Sequence, residues 1–298
     1  MRILLFGKRG QVGWELQRSL APLGEIVALD HEGDGALCGD FTNPAGLAAC
    51  VRQVEPDLIV NAAAYTAVDR AESEPELAAA INAQAPAVLA EEAARLGAWL
   101  VHYSTDYVFD GSGESAWRET DRPNPLSVYG RTKLAGEHAV ATWRKHLVLR
   151  TSWVYAARGS NFAHTMLRLA GERERLQIVA DQFGAPTGAE LLADVTAQVV
   201  RSLRDRPELA GLYHLAASGE TSWHGYALHV IEYARQAGRE IRVAPEAIEA
   251  VPTSAYPLPA MRPHNSRLET SKLRQSFDLT LPAWQIGVER MLDEVFAR

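Results

Sequence analysis

The 298-residue sequence lacks the usual features of exported, membrane-spanning and nucleic-acid-binding proteins. Its two cysteines, Cys38 and Cys50, have neither a C-x-x-C nor a zinc-like spacing, which favours free buried thiols. The apolar run at residues 2–6 is too short for a signal peptide or a membrane span. The net charge is −7 and Lys and Arg form no block, which argues against nucleic acid and anionic membranes as main partners. We therefore expect a cytosolic protein.

The motifs of several other enzyme classes are also missing. None of the nine histidines forms H-E-x-x-H or another paired metal spacing. The chain contains no G-x-S-x-G nucleophile elbow and no Walker loop. These absences argue against a zinc peptidase, an α/β-hydrolase and a P-loop nucleotidase.

Strands alternate with helices through the first half of the chain. Apolar runs predict strands at 2–6, 25–30, 98–105 and 146–155, and a further strand together with its exit at 57–65. The segments near 12–20, 44–54 and 73–97 predict helices between them. This alternation implies a parallel, doubly wound sheet, so the sequence predicts an α/β protein with a Rossmann-like fold.

The second half is less regular. Helices are predicted at 190–203, 222–238 and 284–296, with a strand at 212–217 and a proline-rich loop from 252 to 263. The pattern changes near residues 155–170. We therefore predict a larger domain over 1–155, to which later segments return, and a smaller C-terminal lobe mainly over 156–298.

A glycine-rich loop follows the first predicted strand. Gly7, Gly10 and Gly13 give the spacing G-x-x-G-x-x-G, and a helix opens within it. Residues without Cβ allow a tight turn and let a pyrophosphate approach backbone amides at a helix N-terminus. Asp30 ends the second strand, where a carboxylate can accept both ribose hydroxyls of an adenosine. The larger domain is therefore predicted to bind NAD(P).

Charges near the loop bear on the choice between the two nicotinamide cofactors. Asp30 favours NADH, because a carboxylate repels the 2′-phosphate of NADPH. Lys8 and Arg9 lie in the loop and can offset that repulsion. We expect use of NADH or NADPH.

The stretch SVYGRTKLAGE, residues 127–137, places Tyr129 four residues before Lys133, on one helix face. A cationic lysine favours the phenolate, and lowering a tyrosine pKa to roughly 7 needs about 4 kcal/mol. Lysine and a positive nicotinamide ring together could supply this. Thr105 ends the fourth strand, at the edge where sites form in parallel sheets, and its hydroxyl could hold the same carbonyl oxygen. The spacing Y-x-x-x-K alone is common. A strand-end threonine, a tyrosine and a lysine in this order behind a dinucleotide loop form a specific combination.

Together these motifs resemble the extended short-chain dehydrogenase/reductases. Further stretches resemble members that reduce 4-keto sugar nucleotides, and the resemblance covers essentially the full chain. They are AAYTAVDRAE (63–72), STDYVFDG (104–111), RTSWVY (150–155), DQFGAPT (181–187) and RPHNSRLET (262–270).

The resemblance implies reduction of a dTDP-linked 4-keto-6-deoxyhexose bound by the smaller lobe. Tyr129 would protonate O4 of the sugar, with Thr105 and Lys133 as the other catalytic residues. The cofactor would contact Gly7, Gly10, Gln11, Val12, Gly13, Asp30, Asp40, Phe41, Ala64, Tyr65, Thr66, Tyr103, Tyr129 and Lys133. The substrate would contact Thr105, Asp106, Tyr129, Trp153 and Arg262.

Two weaker expectations also come from the resemblance. Glu15, Glu190 and Glu294 match positions where relatives bind Mg²⁺ at a homodimer interface, and hard cations prefer carboxylate oxygens. Arg262 and Arg267 are candidates for the substrate diphosphate, because arginine forks fit phosphate oxygens.

Alternative functions within the same fold stay open at this point. Sugar dehydratases carry an Asp-Glu pair after the threonine, whereas here Asp106 is followed by Tyr107, so the second acid is missing. A nucleotide-sugar 4-epimerase reuses the same tyrosine and lysine. A non-catalytic regulatory subunit would have no reason to keep Thr105, Tyr129 and Lys133 together.

Overall fold

The computed structural model of the chain describes residues 1–297, and within them twelve strands and eleven α-helices. The strands are β1 Arg2–Phe6, β2 Glu25–Leu29, β3 Leu58–Asn61, β4 Trp99–Thr105, β5 His146–Thr151, β6 Val154–Tyr155, β7 Leu176–Val179, β8 Phe183–Gly184, β9 Thr187–Gly188, β10 Gly211–His214, β11 Thr221–Ser222 and β12 Ile248–Val251. The helices are α1 Gln11–Leu20, α2 Pro44–Val54, α3 Val68–Ala71, α4 Pro75–Ala79, α5 Ala85–Leu96, α6 Val128–Ala141, α7 Phe162–Glu172, α8 Ala189–Asp205, α9 Trp223–Gln236, α10 Ser271–Phe277 and α11 Trp284–Phe296.

Six parallel strands form the central sheet, in the order β2-β1-β3-β4-β5-β10. The chain order reverses between β1 and β3, which opens a crevice at the carboxyl ends of the strands. The prediction of a doubly wound α/β fold is confirmed.

Helices cover both faces of the sheet because alternate residues of each strand point to opposite sides. Ile3 and Leu5 belong to a core shared with α1 and α8, whereas Leu4 and Phe6 belong to a core shared with α2 and α5. All four side chains are fully buried. Strands covered on both faces read as continuous apolar runs, which explains why β1 was recognisable in the sequence.

A third cluster of buried side chains lies apart from the two cores that cover the sheet. Met166 of α7, Tyr226 of α9 and Val288 of α11 pack together, beside the parallel pair of β7 and β12. Helix α8 and strand β10 instead belong with the central sheet. Val199 of α8 packs in the same core as Leu16 of α1, and β10 pairs with β5. The division at residue 155 stays a prediction.

Three predicted elements differ from the structure. The strand expected at 212–217 ends at His214. The fifth strand was expected to continue to residue 155, but it ends at Thr151, and Trp153 has a left-handed φ of 49°. That turn takes the chain out of the sheet, and β6 pairs with β9 instead. The helix expected at 73–97 begins at Pro75 and contains a π-helical turn, in which the side chain of Asn82 bonds the backbone of Tyr65 in both directions.

Both cysteines are free thiols, as the sequence predicted, with Cys50 buried and Cys38 half-buried. Burial raises the pKa of the Cys50 thiol to about 11, so it is inert at neutral pH. None of the helices in residues 1–297 is long and apolar enough to cross a membrane.

Candidate active site

Two glycines at the turn from β1 into α1 lie where the backbone leaves no room for a Cβ. Gly7 has φ of 89°, and a Cβ there would lie 2.8 Å from the backbone of Ala62. A Cβ on Gly13 would lie 2.0 Å from the carbonyl oxygen of Gly7. Gly10 begins α1 with no side-chain cap, so the first amides of the helix keep their capacity to bind an anion.

A groove runs from this loop past the ends of β2 and β3. Its lining includes seven of the residues predicted to contact a cofactor, namely Gly7, Gly10, Asp30, Asp40, Phe41, Ala64 and Thr66. Asp30 is 9% exposed, and its Oδ2 lies 2.7 Å from Nε of Arg9. Arg9 also lies 2.9 Å from Glu32, so a single exposed cation faces two carboxylates at the rim of the groove.

Of the residues predicted to contact the cofactor, Asp40 lines this groove, whereas Tyr65 lies outside it. Hydrogen bonds from the hydroxyl and the amide of Thr42 hold the pKa of Asp40 below its usual range, so this groove-lining carboxylate is ionised. Tyr65 does not line the groove. Its hydroxyl donates to Glu74, outside the groove, although its neighbours Ala64 and Thr66 line it.

A second groove continues from the first, because Ala62, Ala64 and Thr66 line both. It lies at the carboxyl ends of β4 and β5. Its lining includes Gln11, Val12, Tyr103, Thr105, Asp106, Tyr107, Tyr129, Lys133 and Trp153. The fold therefore brings the strand-end threonine and the Tyr-x-x-x-Lys pair to one place, next to the glycine loop.

Helix α6 presents Tyr129 and Lys133 to this groove. Ser127 caps the helix by accepting from the amide of Gly130 at 3.1 Å, which places Tyr129 in the first turn. Lys133 lies one turn later and is only 3% exposed. Its Nζ donates to the carbonyl oxygen of Tyr103 at 2.6 Å.

Tyr129 is a half-buried phenol that hydrogen-bonds the hydroxyl of Thr105. Burial raises the pKa of Tyr129 to about 12, Asp106 raises it further, and only the Thr105 hydrogen bond opposes. The side chains alone therefore do not produce the lowering of the tyrosine pKa that the sequence suggested. Tyr129 holds its proton at neutral pH, which makes it an acid rather than a base.

Burial has the opposite effect on Lys133, because it disfavours the charged form of either group. It lowers the pKa of Lys133 to about 8, and the carboxylate of Glu137 opposes this shift. Glu137 accepts from both Nε and Nη2 of Arg150, at 2.8 and 2.6 Å, and from the hydroxyl of Ser104. This buried ion pair attaches α6 to β4 and β5.

Asp106 follows Thr105 directly and is 2% exposed. Its Oδ1 accepts from the Thr105 hydroxyl at 2.9 Å, while its Oδ2 has no hydrogen-bond partner within residues 1–297. Burial raises the pKa of this carboxyl to about 6, while the hydroxyls of Ser266 and Thr105 oppose the shift. The groove thus contains an unsatisfied carboxyl oxygen beside Tyr129, where a sugar hydroxyl could donate to it.

Comparisons with known proteins agree with this geometry. A family model described as "RmlD substrate binding domain" matches residues 1–297. The dTDP-4-dehydrorhamnose reductase of Escherichia coli (strain K12) is 61% identical over 298 residues, covering 99% of this chain and 98% of that protein. The chain belongs to this family of reductases.

Solved structures of family members have the same fold. A dTDP-4-dehydrorhamnose reductase from Bacillus anthracis, in complex with NADP, has a TM-score of 0.86 and 36% identity, over 98% of this chain and 99% of that one. One from Clostridium acetobutylicum has a TM-score of 0.87 and 34% identity, over 99% and 100% of the two chains.

In this reductase family member, Trp153 lines the second groove and packs against a second tryptophan. Trp153 stacks on Trp223 of α9, with ring centroids 3.6 Å apart and planes 12° from parallel. The indole N–H of Trp223 donates to Gln182 at 3.1 Å, which holds the pair in place. Sequence reasoning identified Trp153 but missed Trp223, because no local pattern links residues 70 positions apart.

The two arginines proposed for the substrate diphosphate are engaged with carboxylates. Nη2 of Arg262 lies 2.7 Å from Asp69, and Arg262 is nearly buried. Nε of Arg267 pairs with Glu220, and its guanidinium lies over the ring of Phe183. Neither arginine lines the groove of Tyr129, so a role in diphosphate binding stays a prediction.

The three glutamates proposed for Mg²⁺ line one cavity between α1, α8 and α11. Burial and the charges of Glu190 and Glu294 raise the pKa of Glu15, while Arg18 lowers it. Arg290 lies 3.4 Å from Glu190. No group of three His, Cys, Asp or Glu side chains within residues 1–297 is arranged to hold a metal ion, so magnesium stays a prediction.

Proposed function

We propose that this enzyme reduces the C4 keto group of dTDP-4-dehydro-L-rhamnose to dTDP-L-rhamnose, using NADH or NADPH. The observation that carries the proposal is a protonated Tyr129 bonded to Thr105, with Lys133 one helix turn away, in a groove continuous with the glycine loop. The names of relatives at up to 61% identity, and the NADP complex of the Bacillus anthracis protein, support it.

The first groove fits a dinucleotide. Gly7 and Gly13 leave space where side chains would collide with backbone, and the N-terminus of α1 suits a diphosphate. Asp30 would accept from the adenosine ribose, and Arg9 could move from Asp30 to a 2′-phosphate. When bound, the reduced nicotinamide supplies a hydride.

Tyr129 supplies the proton that balances this reduction. As C4 of the sugar gains a hydride, its oxygen gains negative charge, and the phenol of Tyr129 donates its proton to that oxygen. Thr105 holds the phenol by a hydrogen bond, and it could donate to the same oxygen once its proton turns away from Oδ1 of Asp106. Lys133, as a nearby cation, favours the phenolate that remains.

The same residues argue against a dehydratase and a regulatory subunit, whereas an epimerase differs from a reductase in its product and in its use of reduced cofactor. A dehydratase needs a second acid, and position 107 is a tyrosine whose ring packs edge-on against Tyr129. An epimerase would consume no reduced cofactor overall. A regulatory subunit would not require Tyr129 to be hydrogen-bonded to Thr105 beside Lys133.

The test is oxidation of NADPH or NADH by the purified protein with dTDP-4-dehydro-L-rhamnose generated in situ. Wild type should oxidise the cofactor and release dTDP-L-rhamnose. Tyr129→Phe should lower kcat by about 10²- to 10⁴-fold, because it removes only the acid.

Tyr107→Phe is the matched control, since it removes a hydroxyl from the same groove without removing the proposed acid. It should change kcat much less. Equal losses in the two variants would contradict the role of Tyr129. No oxidation by folded wild type would contradict the substrate.

We also propose a cytosolic homodimer that binds Mg²⁺ at Glu15, Glu190 and Glu294. These glutamates share one cavity, beside the exposed Trp14 and Ile286. Sedimentation with and without EDTA tests both ideas. A monomer would contradict the dimer, and EDTA without effect on size or activity would contradict the metal.

A further inference from the structure

A short chain of hydrogen bonds leads from the end of β3 to Lys133. The amide of Ala63 donates to Oδ1 of Asn61 at 3.1 Å. A backbone N–H can only donate, so the contacted atom is the oxygen, and Asn61 must turn its Nδ2 towards β4. There Nδ2 lies 3.0 Å from Nδ1 of His102, and both side chains are 1% exposed.

This series of hydrogen bonds determines which nitrogen of His102 carries a proton. Nδ2 of Asn61 can only donate, so Nδ1 of His102 must accept. Burial, with a further contribution from Lys133, holds the pKa of His102 well below its usual value, so the ring is neutral. Its single proton is therefore on Nε2, the nitrogen that lies 3.4 Å from Nζ of Lys133.

An N–H that points at an ammonium group disfavours the charge, whereas the same N–H can donate to a neutral amine. We infer that Asn61 and His102 are positioning residues for catalysis, because they fix the tautomer that makes Lys133 a ready proton donor. The inference rests on the proposed roles of Tyr129 and Lys133. A lysine that releases its proton readily can help restore the proton that Tyr129 gives to the substrate, and the amine then recovers a proton from water.

Several other titratable or charged groups surround Lys133. On α6 these are Glu137, which favours the ammonium, and Tyr129, which is protonated. From β5, Arg150 is paired with Glu137, and Asp106 lies at the end of β4 beside Tyr129. The carbonyl of Tyr103 accepts from Nζ and favours the charged form. His102 is thus the one neighbour from β4 whose tautomer disfavours the charged form of Lys133.

The first test compares the alkaline limb of kcat against pH in wild type and Asn61→Leu. Without the amide donor, His102 can move its proton to Nδ1, and Nε2 becomes an acceptor for the ammonium of Lys133. The limb should lie near the pKa of Lys133, about 8, in wild type. It should move to higher pH in the variant, by about one unit.

Asn82→Leu is the matched control. Asn82 is also a buried asparagine, and it bonds Thr132 of the same helix α6 but not His102. A purely structural defect in α6 would lower kcat at every pH and leave the limb in place. An unmoved limb in Asn61→Leu, or an equal movement in Asn82→Leu, would overturn the inference.

The second test does not depend on activity or on a folded variant of Asn61. Nitrogen NMR of the wild-type protein with isotope-labelled histidine reports the tautomer, and the signal that is missing in His102→Gln identifies the residue. We expect a protonated Nε2 and an unprotonated Nδ1. A protonated Nδ1 would overturn the inference, whereas an active Tyr129→Phe would instead overturn the proposed function.

Discussion

Replacement of Asp106 by asparagine should stabilise the protein at alkaline pH while it weakens activity. The carboxyl group of Asp106 is buried, and its Oδ2 has no hydrogen-bond partner within the described residues 1–297. Burial raises its pKa from 3.8 to about 6. Above this pH the folded protein carries a carboxylate in a place that disfavours the charge.

The size and sign of the effect follow from that shift. A change of about two pKa units corresponds to about 3 kcal/mol. Because the folded-state pKa is the higher one, the favourable contribution is complete below the unfolded-state pKa and is lost as pH rises through about 6. The neutral amide of the Asp106→Asn variant would avoid this loss, but its nitrogen would take the place of Oδ2 and cost about 1 kcal/mol. The net gain should be about 2 kcal/mol near pH 8, and near pH 4 the variant should instead be less stable than wild type by up to about 1 kcal/mol.

Urea unfolding of wild type and Asp106→Asn at both pH values measures this difference. Asp110→Asn is the control of opposite sign, because hydrogen bonds from Asn124 and Ser112 lower the pKa of Asp110. Its carboxylate contributes stability that is present at neutral pH and is lost as pH falls through the folded-state pKa, so the control should be less stable at neutral pH. Equal stability of Asp106→Asn and wild type near pH 8 would refute the reasoning.

Three further changes test other contacts. Glu137→Gln leaves the Arg150 guanidinium buried without a carboxylate, so the free energy of unfolding should fall by about 3–5 kcal/mol in urea; a loss under about 1 kcal/mol would contradict a strong pair. Arg9→Ala removes the cation proposed for a 2′-phosphate, so kcat/KM for NADPH relative to NADH should fall about tenfold; an unchanged ratio would exclude that role. Trp223→Ala leaves Trp153 unstacked, so the sugar-nucleotide KM should rise by up to about tenfold with little change in kcat; an unchanged KM would count against Trp153 as a substrate contact.

Features that depend on neighbours in the sequence were predictable. The apolar run of β1, the glycine spacing and the Tyr129-to-Lys133 helix turn all use the short periods of strands and helices. Helix α11 has the predicted bounds, Trp284–Phe296. Because the ends of parallel strands meet at one edge of the sheet, the meeting of Thr105 with Tyr129 also followed from the pattern.

Contacts between distant segments did not follow from any local pattern. The end of β5 at Thr151 depends on a left-handed residue, Trp153, whose ring then packs on Trp223 of the smaller lobe. Arg262 looked like a free phosphate ligand in the sequence, but the fold places Asp69 beside it. Side chains of this kind find their partners only when segments that are distant in the sequence pack together.

The sequence by itself determined the fold class, the nucleotide loop and the types of residue that could perform a reduction. Only the tertiary structure decided their protonation states. Burial, which depends on the whole fold, keeps the proton on Tyr129, lowers the pKa of Lys133 and raises that of Asp106. The cost of charge in a buried site depends on every segment that excludes water from it, so it cannot be read from the residues alone.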